Sequence, residues 1–364
     1  MLDRFGDYVA DQVVTPVRET AGQALAAVLQ YLSPDSVKAV FRILRQLILQ
    51  DGVEKGKDTT KLWQACHGGM LGMKYLVAIR NDLLVHEPEL LDGLLEVVIQ
   101  GLGDFDDDVR AVSAATLIPV AKEVVELRPN SLNGLITILW DSLAALNDDL
   151  STSTGSIMDL LAKLCGYQQV LDAMKKNAAE DPERTFAELV PRLYPFLRHT
   201  ITTVRAAVLR ALLTFIGIEG EGTRDWINGK VLRLVFQNLI LERDETVLRL
   251  SSQAWSALVN VLAARGAGAF ATELAPHIDA LISLTVSPIG VPRLAIPLDP
   301  SQFIKPSGQP YGPPSNGVQV QRSSPTDGAE PPAKRRRRSD KTQKDALTTT
   351  GSHDLDGDML RGDL

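Results

Sequence analysis

Val109-Arg110-Ala111-Val112-Ser113-Ala114-Ala115-Thr116-Leu117 is one of four ungapped copies of a nine-residue pattern. The others begin at Val17, Val204 and Val247 and end at Leu25, Leu212 and Trp255. Position one is always Val, position eight is Ala or Thr, and position nine is Leu or Trp. Positions one and nine fall on one face of a helix. The small eighth residue lets a second helix come close. The copies start about 92, 95 and 43 residues apart. One or two units of roughly 43 to 48 residues fit each gap, the period of stacked two-helix repeats. Such an array has no pocket by default. It offers a long surface, which points to a protein that holds other macromolecules.

The stretches between the copies read as helices too. Ser33-Pro34 is a cap followed by proline at the first helical position. Beyond it Val37, Val40, Phe41, Leu44, Leu47 and Ile48 form one stripe. Further stripes run through Leu91, Leu94, Leu95 and Val98, through Leu132 to Leu146, and through Val231, Leu234, Val235, Asn238, Leu239 and Leu241. The missing units leave traces around 62–80 and 148–164, and the last helix is expected near Ala275 to Val286. Alternation at period two is nowhere sustained. The expected architecture is all-α: a solenoid of about six helical pairs over 1–286, then a proline-rich, mostly disordered tail over 287–364. Apolar residues in 288–304 are expected to lie extended against the last repeat. Neither end has a polar capping repeat, so the chain reads as a piece, with apolar surface exposed at Leu2–Val17 and near Ile278–Val286.

Bulk properties exclude several classes. The 364 residues are 45% hydrophobic but only 5% aromatic, which suits packing by Leu, Val, Ile and Ala. Two cysteines far apart make no disulfide framework. No stretch is apolar enough for a signal peptide or membrane span, so no membrane is expected as a partner. The net charge of −7 divides into about −9 for residues 1–300 and about +2 beyond. So acidic an array is a poor grip for phosphates and a better one for a basic protein, leaving DNA an indirect or weak contact.

Val-Arg preceded by acidic residues (Asp106-Asp107-Asp108, Asp244-Glu245) resembles the second helix of a HEAT repeat. In such repeats the Arg can bond an Asp of the adjacent repeat. Asp106 and Asp244 stand three residues before the Val, but Val14 and Ile201 hold that place elsewhere, so the ladder is expected to be incomplete. Three stretches carry a closer resemblance: Asp3 to Thr20, Trp63 to Leu76, and Ser287-Pro288-Ile289-Gly290-Val291-Pro292-Arg293. They resemble, in order, the TATA-box-binding-protein-associated ATPases of the modifier-of-transcription type, which are Swi/Snf-like remodellers. Ser352-His353-Asp354-Leu355-Asp356-Gly357 looks like the interior of the same family. Cys66 departs from the pattern, which would place a basic residue two before Gly68. The resemblance implies a nuclear HEAT scaffold that grips TATA-box-binding protein, with a motor that strips that protein from DNA. The motor is absent from this sequence. Gly52-Val53-Glu54-Lys55-Gly56-Lys57-Asp58 lacks both the spacing and the hydroxyl of a nucleotide loop.

Two clusters stand out as candidate sites. Asp104, Asp106, Asp107 and Asp108 precede one repeat helix, and Asp148 and Asp149 hold the corresponding place one unit later. They read either as an acidic edge facing a basic partner or as helix caps. Lys334-Arg335-Arg336-Arg337-Arg338 reads as a nuclear import signal for importin. Other motifs dissolve on inspection. Cys66 with His67 falls short of four zinc ligands, and Leu91 to Leu95 and Leu209 to Leu213 match coactivator boxes only as any amphipathic helix does. Arg361-Gly362-Asp363 lacks an extracellular context. Neither a catalytic set nor a cofactor or small-molecule site emerges. The rival reading is a HEAT-type adaptor in nuclear transport or another multi-subunit assembly.

Overall fold

The computed structural model describes residues 15–50, 63–145 and 151–286. The chain divides into Met1–Pro314 and Ser315–Leu364, and every described residue belongs to the first unit. Among the described residues all regular elements are helical.

The helices form two rows. The inner row is α1 (Thr15–Leu29), α3 (Trp63–Ile79), α6 (Asp107–Leu117), α9 (Ser153–Cys165), α12 (Thr202–Gly217) and α14 (Glu245–Ala264). Each packs on the next. The outer row is α2 (Pro34–Leu49), α5 (Pro88–Leu102), α8 (Leu132–Ala145), a 3₁₀ segment (Val190–Arg198), α13 (Gly229–Leu241) and α16 (Ile278–Val286). Outer members likewise pack in order, and each from α2 to α13 pairs with the inner helix that follows it. The described residues therefore hold five complete pairs, flanked by α1 and α16. The six expected inner helices are all present. α3 and α9 are the two units of which the sequence shows only traces.

Local chemistry sets the helix limits. Ser33 caps α2 by accepting from the Ser36 amide at 3.3 Å, and Gln50 ends it in the left-handed region. Proline interrupts elsewhere. Pro119 follows α6 within a 3₁₀ turn (Ile118–Val120), after which α7 (Ala121–Leu127) starts a new short helix. Pro191 and Pro195 remove amide donors from Val190–Arg198, which winds as 3₁₀ where its neighbours are α. Short linking helices complete the path: α4 (Asn81–His86), α10 (Gln168–Glu180), α11 (Phe186–Leu189) and α15 (Ala267–Leu274).

The nine-residue pattern lies where expected. Val109, Val204 and Val247 are fully buried, as are Leu117 and Leu212. Trp255 is half-buried, its ring 5.1 Å from that of Phe236. Val17 differs, at 44% exposed. Rows approach closely at Gly101, where an added Cβ would sit 2.1 Å from Ser113 Oγ. Leu91, Leu94, Leu95, Leu209 and Leu212 are core residues, so the coactivator-box matches are packing. At the far end Ile278, Ile282 and Val286 of α16 are exposed, as expected.

Candidate partner-binding edge

Among the described residues, turns lead from outer to inner helices at 103–106, 199–201 and 242–244. The best described is Gly103-Asp104-Phe105-Asp106, ahead of α6. Asp104 Oδ1 accepts from the Asp106 amide at 2.9 Å. Asp106 Oδ1 accepts from the amides of Asp108 and Val109 at 3.0 and 3.2 Å, capping α6. Burial, opposed by those amides and helped by Asp108 and Asp104, raises the Asp106 carboxyl above its usual range.

Asp107 serves the next repeat. Its Oδ1 accepts from Ser151 Oγ at 2.5 Å, and its Oδ2 accepts from the amide and hydroxyl of Thr152 at 2.6 and 2.8 Å. The Ser153 amide lies 3.2 Å away. Thr152 stands at the N-terminus of α9 and caps it with no side-chain bond of its own. One carboxylate thus closes the helix of its neighbour. Burial works against the charge, but the donors from Ser151, Ser153 and Thr152 outweigh it and hold Asp107 down at about 2. Arg110 completes the clamp. Its Nη1 donates to the carbonyls of Asp104 and Phe105, both at 2.8 Å, and its Nη2 to Asp107 at 3.0 Å.

Two further Val-Arg arginines reach across repeats. Arg205 donates from Nε and Nη2 to the two oxygens of Glu242 at 2.6 and 3.1 Å. Its Nη1 donates to the carbonyls of His199 and Thr200 at 2.9 and 3.1 Å. The Glu242 side chain is 5% exposed. Burial raises its pKa, but Arg205 and the amides of Asp244 and Arg243 prevail and set it at about 2. Arg18 donates to Nδ1 of His67 at 2.9 Å and lies over the Trp63 ring. Burial, with Arg18 beside it, lowers His67 to about 4, so the ring is neutral and can accept. Burial lowers the Arg18 pKa, opposed by the carboxylates of Asp108 and Asp106 two inner helices on.

This corrects the expected ladder. Asp106 and Asp244, three residues before Val109 and Val247, cap their own helices, Asp244 accepting from the Val247 amide at 3.0 Å. The arginines find partners elsewhere, in His67 and Glu242. Where Cys66 departs from the pattern, the adjacent His67 supplies the link. Sequence reasoning overlooked Glu242 and weighed His67 only as a metal ligand, and their signal is faint: a polar residue beside a repeat helix start.

Of the acidic candidates, Asp104, Asp106 and Asp107 are engaged within the fold. Among the described residues the Asp108 carboxylate receives no hydrogen bond, and the residue is partly buried with its charge felt by Arg18. Asp148 and Asp149 lie outside the described residues, as do Lys334, Arg335, Arg336, Arg337 and Arg338. Among the described residues no His, Cys, Asp or Glu cluster could hold a metal, and no helix is long and apolar enough to cross a membrane. Both cysteines are buried, and burial pushes the Cys165 thiol up to about 12.

Residues 254–364 match a family model described as a domain of unknown function, DUF3535. Over 366 aligned residues the chain is 55% identical to the TATA-binding protein-associated factor mot1 of Aspergillus fumigatus, covering 100% of this chain and 19% of that protein. It is 43% identical to Saccharomyces cerevisiae MOT1 of the same description, covering 84% of this chain and 16% of that one. Human TATA-binding protein-associated factor 172 is 39% identical, covering 71% and 13% respectively. The chain spans about a fifth of the length of the mot1 relative from Aspergillus. Among solved structures, a designed armadillo repeat protein aligns with a TM-score of 0.43 at 14% identity, covering 71% of this chain and 98% of that one. An engineered protein aligns at 0.44 and 17%, covering 71% and 96%.

Proposed function

The chain belongs to the family of the TATA-binding protein-associated factors, and on that footing we propose that it is a non-catalytic HEAT scaffold segment that binds TATA-binding protein. It works within a nuclear, transcription-regulating remodeller whose ATPase motor, which removes that protein from DNA, is outside this segment. The observation that carries the reading is the outer-to-inner edge, where Asp107 and Arg110 tie the acidic turn to the next repeat. Stacked helices hold such turns at fixed spacing, so a partner meets a preformed surface at little entropic cost.

Asp104, Asp106, Asp107 and Asp108 supply the acidic field, with Asp148 and Asp149 one unit on. Asp108 is the residue whose charge is available to a basic partner. DNA is at most an indirect contact. Lys334, Arg335, Arg336, Arg337 and Arg338 serve import by recruiting importin. Neither a cofactor nor a small-molecule substrate enters this function.

The test is binding of the whole chain to purified TATA-binding protein by bio-layer interferometry. Asp108→Lys is the informative variant, since the Asp106 and Asp107 carboxylates are already occupied by amides at helix starts. Wild type should bind more weakly as salt rises, and Asp108→Lys should weaken binding at low salt. A wild-type chain that does not bind sinks the reading. Alanines across 334–338 should abolish nuclear accumulation of a fluorescent fusion.

A further inference from the structure

We propose that Phe105 is the apolar anchor of this edge, the side chain that enters a pocket on the partner protein. The inference rests on the docking role proposed above and names the residue on which that docking turns. Counting back four places from the buried Val of an inner helix gives the tip of the preceding turn. The tip residues are Phe105 before Val109, Thr200 before Val204 and Arg243 before Val247. All three are exposed. Threonine and arginine lose nothing by standing in water at such a place. A phenyl ring does, and Phe105 is 75% exposed. By contrast Phe41, Phe186, Phe196 and Phe215 are buried. The ring adds little to the packing of the fold.

The backbone beneath the ring is held as firmly as at a polar tip. Arg110 bonds the carbonyls of Asp104 and Phe105, as Arg205 bonds those of His199 and Thr200. The two turns therefore share one scaffold and differ in what they display. An aromatic ring on a fixed turn binds at low entropic cost, since only two side-chain torsions remain to be frozen. Asp104 and Asp106 adjoin Phe105 in the chain, and Asp107 and Asp108 open the helix that follows. The surface that fits is an apolar pocket edged by lysine or arginine, and the occupant to which we commit is TATA-binding protein. Charge at the rim steers the encounter, while the ring supplies the lasting contact.

The experiment measures affinity of the whole chain for TATA-binding protein with wild type, Phe105→Thr, Phe105→Trp and Thr200→Ala, alongside thermal melts. Phe105→Thr copies the sister turn. It should weaken binding by about tenfold or more through faster dissociation, with the melt unchanged. Phe105→Trp should stay within a few-fold of wild type, and Thr200→Ala should match it. Wild-type affinity in Phe105→Thr overturns this inference and leaves the docking role standing. An early melt in Phe105→Thr also overturns it, because the ring would then be serving the fold. A wild-type chain that fails to bind removes the docking role and the anchor together.

Discussion

Asp107→Ala should loosen one joint of the array while leaving the rest closed. The carboxylate accepts from Ser151, from the amide and hydroxyl of Thr152, and from Ser153, all beyond its own repeat. Its descent from an ordinary value of 3.8 to about 2 corresponds to roughly 2 kcal/mol, at about 1.4 kcal/mol per unit. Loss of a helix cap alone costs about 1 kcal/mol, so the two routes agree in scale. The loss should be local. Amides at the start of α9 should exchange with deuterium about 30-fold faster, since every 1.4 kcal/mol is tenfold. Amides in α12 and α14 should keep the wild-type rate. Because the folded value is depressed, the stabilisation is complete above about pH 4 and fades as the solution is acidified towards pH 2. Wild type and variant should therefore converge over that window. The reasoning is refuted if exchange at the start of α9 is unchanged in Asp107→Ala at pH 7, or if the acceleration spreads evenly over the molecule.

Other joints give companion expectations. Glu242→Gln keeps the shape but loses the charge facing Arg205, and should cost about 2 to 3 kcal/mol in urea unfolding at neutral pH. Its penalty should shrink below about pH 4.5, through the range in which wild-type Glu242 is losing its own advantage. His67, neutral in the folded chain, makes stability fall as pH drops from about 6.5 towards 4, by roughly 3 kcal/mol. His67→Gln should flatten that slope in melts taken across the range, and a parallel slope would count against a buried neutral ring. Gly101→Ala should cost about 1 to 3 kcal/mol by pushing a methyl group into Ser113 Oγ. Adding Ser113→Ala should recover part of it, giving a non-additive double-mutant cycle by chemical denaturation.

Much of this was legible in the residues because the inner helices carry their own signature. Val, a small residue and Leu or Trp at fixed spacing locate α1, α6, α12 and α14 directly, and small residues around Gly72 betray α3. The capping role of Asp106 is equally local, since a carboxylate three places before a buried Val has one obvious donor set. Joints between repeats were harder. Whether Arg205 meets Glu242 or Arg18 meets His67 depends on how turns far apart in sequence are brought side by side by stacking, and no spacing rule along the chain encodes that. The fourth outer element was obscured by Pro191 and Pro195, which break the helical period where a stripe would show. Phe105 was passed over for a different reason. In sequence a phenylalanine among aspartates resembles any stray apolar residue, and its meaning comes from comparing turn tips once they are aligned.

Three of the links between repeats join the start of an inner helix to the helix pair that follows. Arg18 reaches forward to His67, Asp107 to Thr152 and Arg205 to Glu242, each from an earlier helix pair to a later one. At these joints a newly made pair is finished by groups already in place when it leaves the ribosome, so assembly can follow synthesis without waiting for distant segments. A chain severed between α8 and α9 leaves a downstream part that begins with a helix whose cap has been left behind.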